Sequence, residues 1–272
     1  STGGEFKYDN GNLSAEWSHL MVGNGYNAEV GYVRRTGVKS IQPQLGYTFY
    51  PKRLNFIIRH GPQMQLKQLH SEGYGKTDQE VTLRYTARFR NQSSAYLSLN
   101  RGYIKLTDPY DPSNSDGLEY QAGDEFNYWY IYTYYRSDTR KPLTFSARGM
   151  LGGYFEGERY TLTGDLEYQF RPYVNLSLDA SYNKVIQPLP YNSVDYWLLG
   201  PRLDITFTRE LYFATLVQYN TQRENLNINA RFQWRYAPVS DLYLVYTDDY
   251  FTNSFAPKSR ALIFKLTYWL NV

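Results

Sequence analysis

The chain has no cysteine and only three methionines and three histidines among its 272 residues. Without cysteine there is no disulfide framework and no thiolate metal site. No run of eighteen apolar residues occurs anywhere, which excludes a transmembrane helix. Neither sign of charge dominates: 29 Lys and Arg against 26 Asp and Glu leave a net +3, too little for the basic footprint of a nucleic-acid binder. The first residues, STGGEFKYDNGN, lack the apolar stretch of a signal peptide. An exported protein with this start is expected to have been processed or cut from a longer one.

What is abundant is the amphipathic ring. Thirty Tyr and five Trp bring aromatics to 18%, while the mean hydropathy stays at -0.60. Rings with one wet end suit a boundary between oil and water better than a soluble core. The clearest pattern lies in residues 225–272. There Leu226, Ile228, Ala230, Phe232, Trp234 and Tyr236 alternate with Asn227, Asn229, Arg231, Gln233 and Arg235. Further on, Leu262, Phe264, Leu266, Tyr268, Leu270 and Val272 alternate with Ile263, Lys265, Thr267, Trp269 and Asn271. A strand turns successive side chains to opposite faces, so these are two-faced strands of about ten residues, the length that a tilted strand needs to cross a bilayer.

Similar segments recur about every 19 residues, with no helical stretch between them, and number about fourteen. They centre on residues 13–22, 38–50, 53–69, 79–90, 94–107, 125–137, 143–155, 159–171, 175–186, 194–209 and 212–221, followed by three in 225–272. Counted back from the C-terminus, short connections (YPKR, RNQSS, SDTRKP, RPYVN, TREL, APVSD) broadly alternate with longer ones such as NGYNAEVGYVRRTG and DPYDPSNSDGLEYQAGD. A hairpin barrel places short turns at one rim and longer loops at the other. The expected fold is all-β: a transmembrane antiparallel up-and-down β-barrel, one domain over residues 1–272, either complete or the C-terminal part of a larger barrel. Closure within the chain requires the strand around Leu13 to pair with the one around Leu266. Pro43 and Pro201 fall inside strands, where a closed sheet accepts proline only at a bulge or strand end. The segment NYWYIYTYY is apolar or aromatic on both faces, so alternation does not select its inward side.

With the oily faces against lipid, the opposite faces define a lumen. They carry Arg84, Arg88, Arg90, Arg148, Arg202, Asp204, Arg231, Arg235 and Lys265, with Glu16, Asp165, Glu167 and Asp179 as acidic counterparts. Charges at bilayer depth need water or each other, so these are the candidate pore-lining residues. Fourteen strands about 4.8 Å apart and tilted about 40° enclose a backbone cylinder of about 14 Å radius, wide enough for water. The near balance of charge leans only weakly towards anions. Tyr96, Tyr103, Tyr110, Tyr128, Tyr130, Tyr132 and Tyr134 suit an interfacial girdle better than a sugar track. Asp108, Asp111 and Asp116 lie in a loop without the spacing of a helix-loop-helix calcium site, and read as a solvated turn. His70 and Ser71 are adjacent and face opposite ways in a strand, and His19 is in the lipid-facing register, so no catalytic set is expected. GYGK (73–76) lacks the spacing of a phosphate-binding loop.

GYVRRTG (31–37), NLNINARFQWRYAPVSDLYLVYTDDY (225–250) and the ending RALIFKLTYWLNV resemble the C-terminal barrel region of a Bacteroidetes-type outer-membrane family, in which a carbohydrate-binding-module (family 9)-like sandwich precedes a large barrel. The resemblance spans most of the chain, and no sandwich is present in it. It implies the outer membrane of a Gram-negative bacterium. The expected function is a porin-like channel for passive passage of small polar solutes or ions. Outer-membrane lipid and lipopolysaccharide, and other outer-membrane proteins, are the expected partners, with no enzymatic activity, nucleic acid, cofactor or metal. The alternative is a non-conducting scaffold, or a glycan-binding component of a larger assembly.

Overall fold

The structure, a computed structural model, describes residues 1–27 and 35–270. Fifteen strands form one antiparallel sheet with neighbours in chain order, and no helix occurs among the described residues. They are β1 (Thr2–Asp9), β2 (Leu13–Val22), β3 (Val38–Tyr47), β4 (Ile57–Ser71), β5 (Gly75–Phe89), β6 (Ser94–Lys105), β7 (Glu125–Arg136) and β8 (Leu143–Tyr154). The series continues with β9 (Gly157–Phe170), β10 (Val174–Ile186), β11 (Val194–Thr206), β12 (Leu211–Asn220), β13 (Asn225–Ala237), β14 (Ser240–Phe251) and β15 (Pro257–Leu266). The sheet is open: it runs from β1 to β15, and the pairing of Leu13's strand with Leu266's that closure within the chain requires is not found among the described residues. Leu13 pairs with Tyr47 and Leu266 with Leu242.

The additional strand is β1. Its register sets Phe6 against Trp17 and Lys7 against Glu16, and the chain reverses through DNGN. There Gly11 takes φ +90°, which suits a residue without Cβ. Asp9 Oδ1 accepts the Gly11 N–H at 2.7 Å, and Asn10 Oδ1 accepts that of Leu13 at 2.8 Å. The last strand also differs from its sequence-based bounds. It begins at Pro257 and ends at Leu266 rather than running over 262–272, because β14 begins at Ser240 and offers no further ladder. Thr267 still exchanges hydrogen bonds with Asp241, and the Trp269 N–H ends on Ser240 Oγ at 3.0 Å. Asn271 and Val272 lie outside the described residues, as does most of GYVRRTG.

Proline is accommodated differently from the expectation. Pro43 pairs with Trp17 on one side, while on the other the β3–β4 ladder skips Gln42 and Pro43 and resumes in the same register. The β11–β12 ladder likewise skips Gly200 and Pro201. A missing N–H costs one ladder bond here without forcing a bulge.

Two compact units divide the contacts. The first comprises Ser1–Tyr135, Arg148–Tyr160 and Lys184–Val194, and the second Arg136–Ala147, Thr161–Asn183 and Asp195–Val272. In the first, the cross-strand registers bring Leu13, Leu45, Met64, Leu83, Leu97 and Leu99 to one face, and Glu16, Gln44, Gln65, Thr82, Arg84, Ser98 and Asn100 to the other. The burial is inverted relative to a soluble protein: Leu83 is 50% exposed and Leu97 57%, whereas Thr82 is 4%, Ser98 3% and Asn100 3% exposed. A groove of about 830 Å³ runs along the apolar face between Leu45, Met64, Leu83, Leu97, Leu99 and Ile131.

Among the described residues, the buried apolar cluster belongs to loops and strand ends. Leu106, Tyr120, Phe126 and Phe155 are buried together, with Ile104, Tyr128, Tyr154 and Tyr191 packed against them. Tyr120 stacks on Tyr191 with ring centroids 3.9 Å apart and on Phe155 at 5.8 Å. Its hydroxyl donates to Gln187 Oε1 at 3.0 Å. The loop between β6 and β7, the β8–β9 turn and the β10–β11 loop thus form a single packed body in the first unit.

Candidate functional site: the polar face

β7 is the strand whose inward side alternation left open. Its parity separates by chemistry: Trp129, Ile131 and Thr133 fall on one side, and Tyr128, Tyr130, Tyr132 and Tyr134 on the other. The second set meets polar-face residues. Tyr130 donates to Glu80 Oε2 at 2.7 Å. Tyr132 stacks on Tyr96, centroids 5.7 Å apart with 9° between the planes, and Tyr134 lies 5.2 Å from the same ring. Tyr128 fits because β6 has Gly102 beside it: a Cβ there would come within 2.6 Å of the Tyr128 ring. These tyrosines therefore lie on the polar face of the sheet. Tyr110 belongs to the loop cluster, 5.5 Å from Phe155.

The sequence-predicted charged residues fall in both units. Arg84 and Arg88 are on the polar face of β5, opposite Ser98 and Ser94 of β6. The Arg84 guanidinium lies 4.8 Å over the Tyr96 ring, and Arg88 donates to Gln92 Oε1 at 2.9 Å. Arg90 falls beyond β5, in the turn, where its N–H donates to the Phe56 carbonyl. Glu16 sits across from Lys7 at 3.5 Å. Arg148 lies in the part of β8 that belongs to the first unit.

The remaining positions are in the second unit. Asp165 accepts from Ser146 at 2.5 Å, and Glu167 from Gln169 at 2.8 Å. Asp179 lies beside Gly200. Arg202 holds Asp204 in a two-pronged contact at 2.8 and 3.0 Å. Arg231 stands between Ala214 and Val245 in the register, Arg235 pairs with Asp241 at 3.4 Å, and Lys265 is opposite Tyr243. These charges are distributed along many strands and do not converge on one centre.

Sequence reading missed three groups. Glu5 and Lys7 arrive with β1. Asp241 and Asp249 belong to the polar face of β14, where Asp249 accepts from Asn227 at 2.6 Å. Asp248 is the exception, because it falls on the apolar face opposite Ile228. It is 1% exposed and accepts from the Tyr246 hydroxyl, from Tyr250 at 2.6 Å and from Arg260 at 2.9 Å. The i, i+2 spacing of Tyr246, Asp248 and Tyr250 carried that signal.

In the loops, Asp111 acts as an internal cap. Partial burial pushes its carboxyl up, but the Ser113 hydroxyl and the N–H groups of Ser115, Ser113 and Gly117 outweigh this and hold it below the usual carboxylate range. Its oxygens are thus spent on the loop itself. Burial, then the charge of Glu156, pushes the Tyr120 hydroxyl up to about 12, so it is a donor at neutral pH. No group of three metal-ligating side chains occurs among the described residues. His60 shares a hydrogen with Tyr85 at 2.6 Å on the apolar face, and His70 lies 3.4 Å from Gln68.

The family described as a domain of unknown function (DUF5916) matches residues 1–211. The segment 225–272, which carries much of the resemblance noted above, lies beyond that match. Neither a curated protein nor a solved structure matches the chain.

Proposed function

Since the chain belongs to the DUF5916 family, and that membership specifies no chemistry, we propose from its faces that it is an outer-membrane β-barrel of a Gram-negative bacterium that passes small polar solutes. The observation that carries the proposal is the inverted burial: leucines on one face are about half exposed while threonine, serine and asparagine on the other are almost fully buried. In water such an apolar face would be an aggregation liability, whereas against lipid it is the low-energy arrangement. On this reading the apolar face meets lipid and lipopolysaccharide, and the polar face with its ion pairs lines the passage. As a barrel, the sheet has to satisfy the free backbone edges of β1 and β15, since an open edge in hydrocarbon leaves its N–H and C=O groups unpaired. The outer-membrane family whose barrel follows a carbohydrate-binding-module-like sandwich belongs to the same proposal, as does a role without catalysis.

Conductance of the purified protein in a planar bilayer tests the passage. Stepwise channels that disappear on heat denaturation are expected, and a pure, folded preparation that gives none would overturn it. A second reading, a barrel that binds glycans or scaffolds an assembly without conducting, draws on the tyrosines of β7 and the packed loops at their end. Its mark is a protein with a heat-modifiable gel shift and no channels that is retained on a glycan column or isolates with other outer-membrane proteins.

A further inference from the structure

We propose that Arg84 and the tyrosines around it form a binding site for a small organic carboxylate. The proposal uses the face assigned above to solute passage, but it requires only that this face be wet, not that it conduct.

Arg84 sits in the middle of β5 with neutral partners on both sides, Gln63 of β4 and Ser98 of β6. Its guanidinium covers Tyr96, and its Nε is buried with no hydrogen-bond partner among the described residues. The next acid along its own face, Glu80, is already held by Tyr130. Several other polar-face cations have a carboxylate at hand, as Lys7 has Glu16, Arg202 has Asp204 and Arg235 has Asp241, and Arg88 is engaged by Gln92. A partly buried guanidinium without a counter-charge bears a desolvation cost that an anion relieves.

The shape of the site selects among anions. A guanidinium presents a planar fork of donors that matches two carboxylate oxygens at once. Tyr132, stacked on Tyr96, and Tyr134, tilted against the same ring, lie beside it, and ring faces suit a flat or C–H-rich body attached to that carboxylate. Inorganic phosphate would use the charge and forgo the rings. A neutral ring compound would use the rings and leave the charge unanswered.

Calorimetric titration of the full chain in detergent micelles with benzoate, benzamide and inorganic phosphate tests the site. Benzoate is expected to bind about tenfold or more tighter than either of the others. Arg84→Gln should remove that margin over benzamide, and Arg84→Lys, which keeps the charge without the fork, should retain part of it. Tyr132→Leu should weaken benzoate and leave phosphate unchanged. Benzoate binding no tighter than benzamide, or a folded Arg84→Gln protein that binds benzoate like the parent, overturns the proposal. Should Arg84→Gln fail to fold, as judged by the β-sheet circular dichroism band, the Arg84→Lys and Tyr132→Leu titrations decide it in the same way. Benzoate binding without channels sinks the conduction reading alone, and channels without a benzoate preference sink this one alone.

Discussion

The polar faces of the two units solve the same problem in different ways. In the second unit, polar groups answer one another across neighbouring strands: Asn227 with Asp249, Asn229 with Thr247, Arg235 with Asp241. These pairs are satisfied locally, although Asn175 Oδ1 in the same unit is buried without a hydrogen-bond partner among the described residues. In the first unit the face is built of rings, Tyr96, Tyr128, Tyr130, Tyr132 and Tyr134, and Arg84 has neither a carboxylate opposite it nor a hydrogen-bond partner for its buried Nε among the described residues. Its loops also carry the buried apolar cluster. A self-satisfied face is a solvated lining, whereas a face with rings and an unanswered charge has chemistry to offer a ligand. On the proposed function, discrimination between solutes would fall to the first unit and plain hydration to the second.

The largest effect is expected where the first unit most resembles a soluble core. Tyr120→Ala removes a ring packed against Phe126, Phe155 and Tyr191 and a hydroxyl bonded to Gln187. A loss of about 3–5 kcal/mol in the stability of that loop body should follow, read as accelerated proteolysis of residues 106–124 in the folded protein. Cleavage at an unchanged rate would mean that the loop cluster is not an independent cooperative body.

Next comes the apolar face. Leu99→Lys is expected to cost about 2–4 kcal/mol if that face lies in hydrocarbon, measured by urea unfolding in lipid vesicles. A cost near zero would remove the physical basis of the lipid-facing assignment.

Loop and turn carboxylates give a pH signature of intermediate size. Asp111→Ala leaves the N–H groups of Ser113, Ser115 and Gly117 without their acceptor, at about 1–3 kcal/mol. In the second unit, Asp138 accepts from the Arg140 side chain and backbone in the β7–β8 turn, and this holds its carboxyl down to about 2. Both folded values are depressed, so both contributions are fully present above about pH 4, the ordinary Asp value, and fade as pH falls below it. Loop proteolysis should therefore rise below about pH 4 in the parent, while Asp111→Ala should show a flatter acid limb for residues 106–124 than the parent does.

The same contrast explains what could be read from the sequence. Strict alternation fixed β13, expected over Leu226–Tyr236 and found over Asn225–Ala237, because every second residue differs in polarity. β1 escaped because Gly3 and Gly4 occupy half of its first four residues and only Phe6 and Tyr8 mark its apolar side, although Asn10-Gly11 signals a hairpin turn. The inward face of β7 escaped because hydropathy does not separate Tyr from Trp; the hydroxyl does, and only Glu80 and Tyr96 of neighbouring strands reveal which side needs it. The loop cluster was beyond reach, since Tyr120 and Gln187 lie 67 positions apart and no local period encodes that contact.

The smallest effects should come from single charges, and their sign distinguishes the two faces. Arg235 is half exposed and shares Asp241 with Gln233, whose Nε2 is 3.2 Å from the same carboxylate oxygen. Arg235→Ala therefore leaves Asp241 bonded, and a double-mutant cycle between the two should return about 0.2–1 kcal/mol of coupling, towards the lower end in high salt. Arg84→Gln strands no carboxylate and removes a buried, unpartnered Nε–H together with its charge. Without ligand, its unfolding midpoint in urea is expected to equal or exceed that of the parent, whereas Arg235→Ala falls slightly below. If Arg84→Gln instead lost as much stability as the Tyr120 variant, Arg84 would be a structural anchor of the first unit, and the contrast between a ligand-ready face and a self-satisfied one would fail.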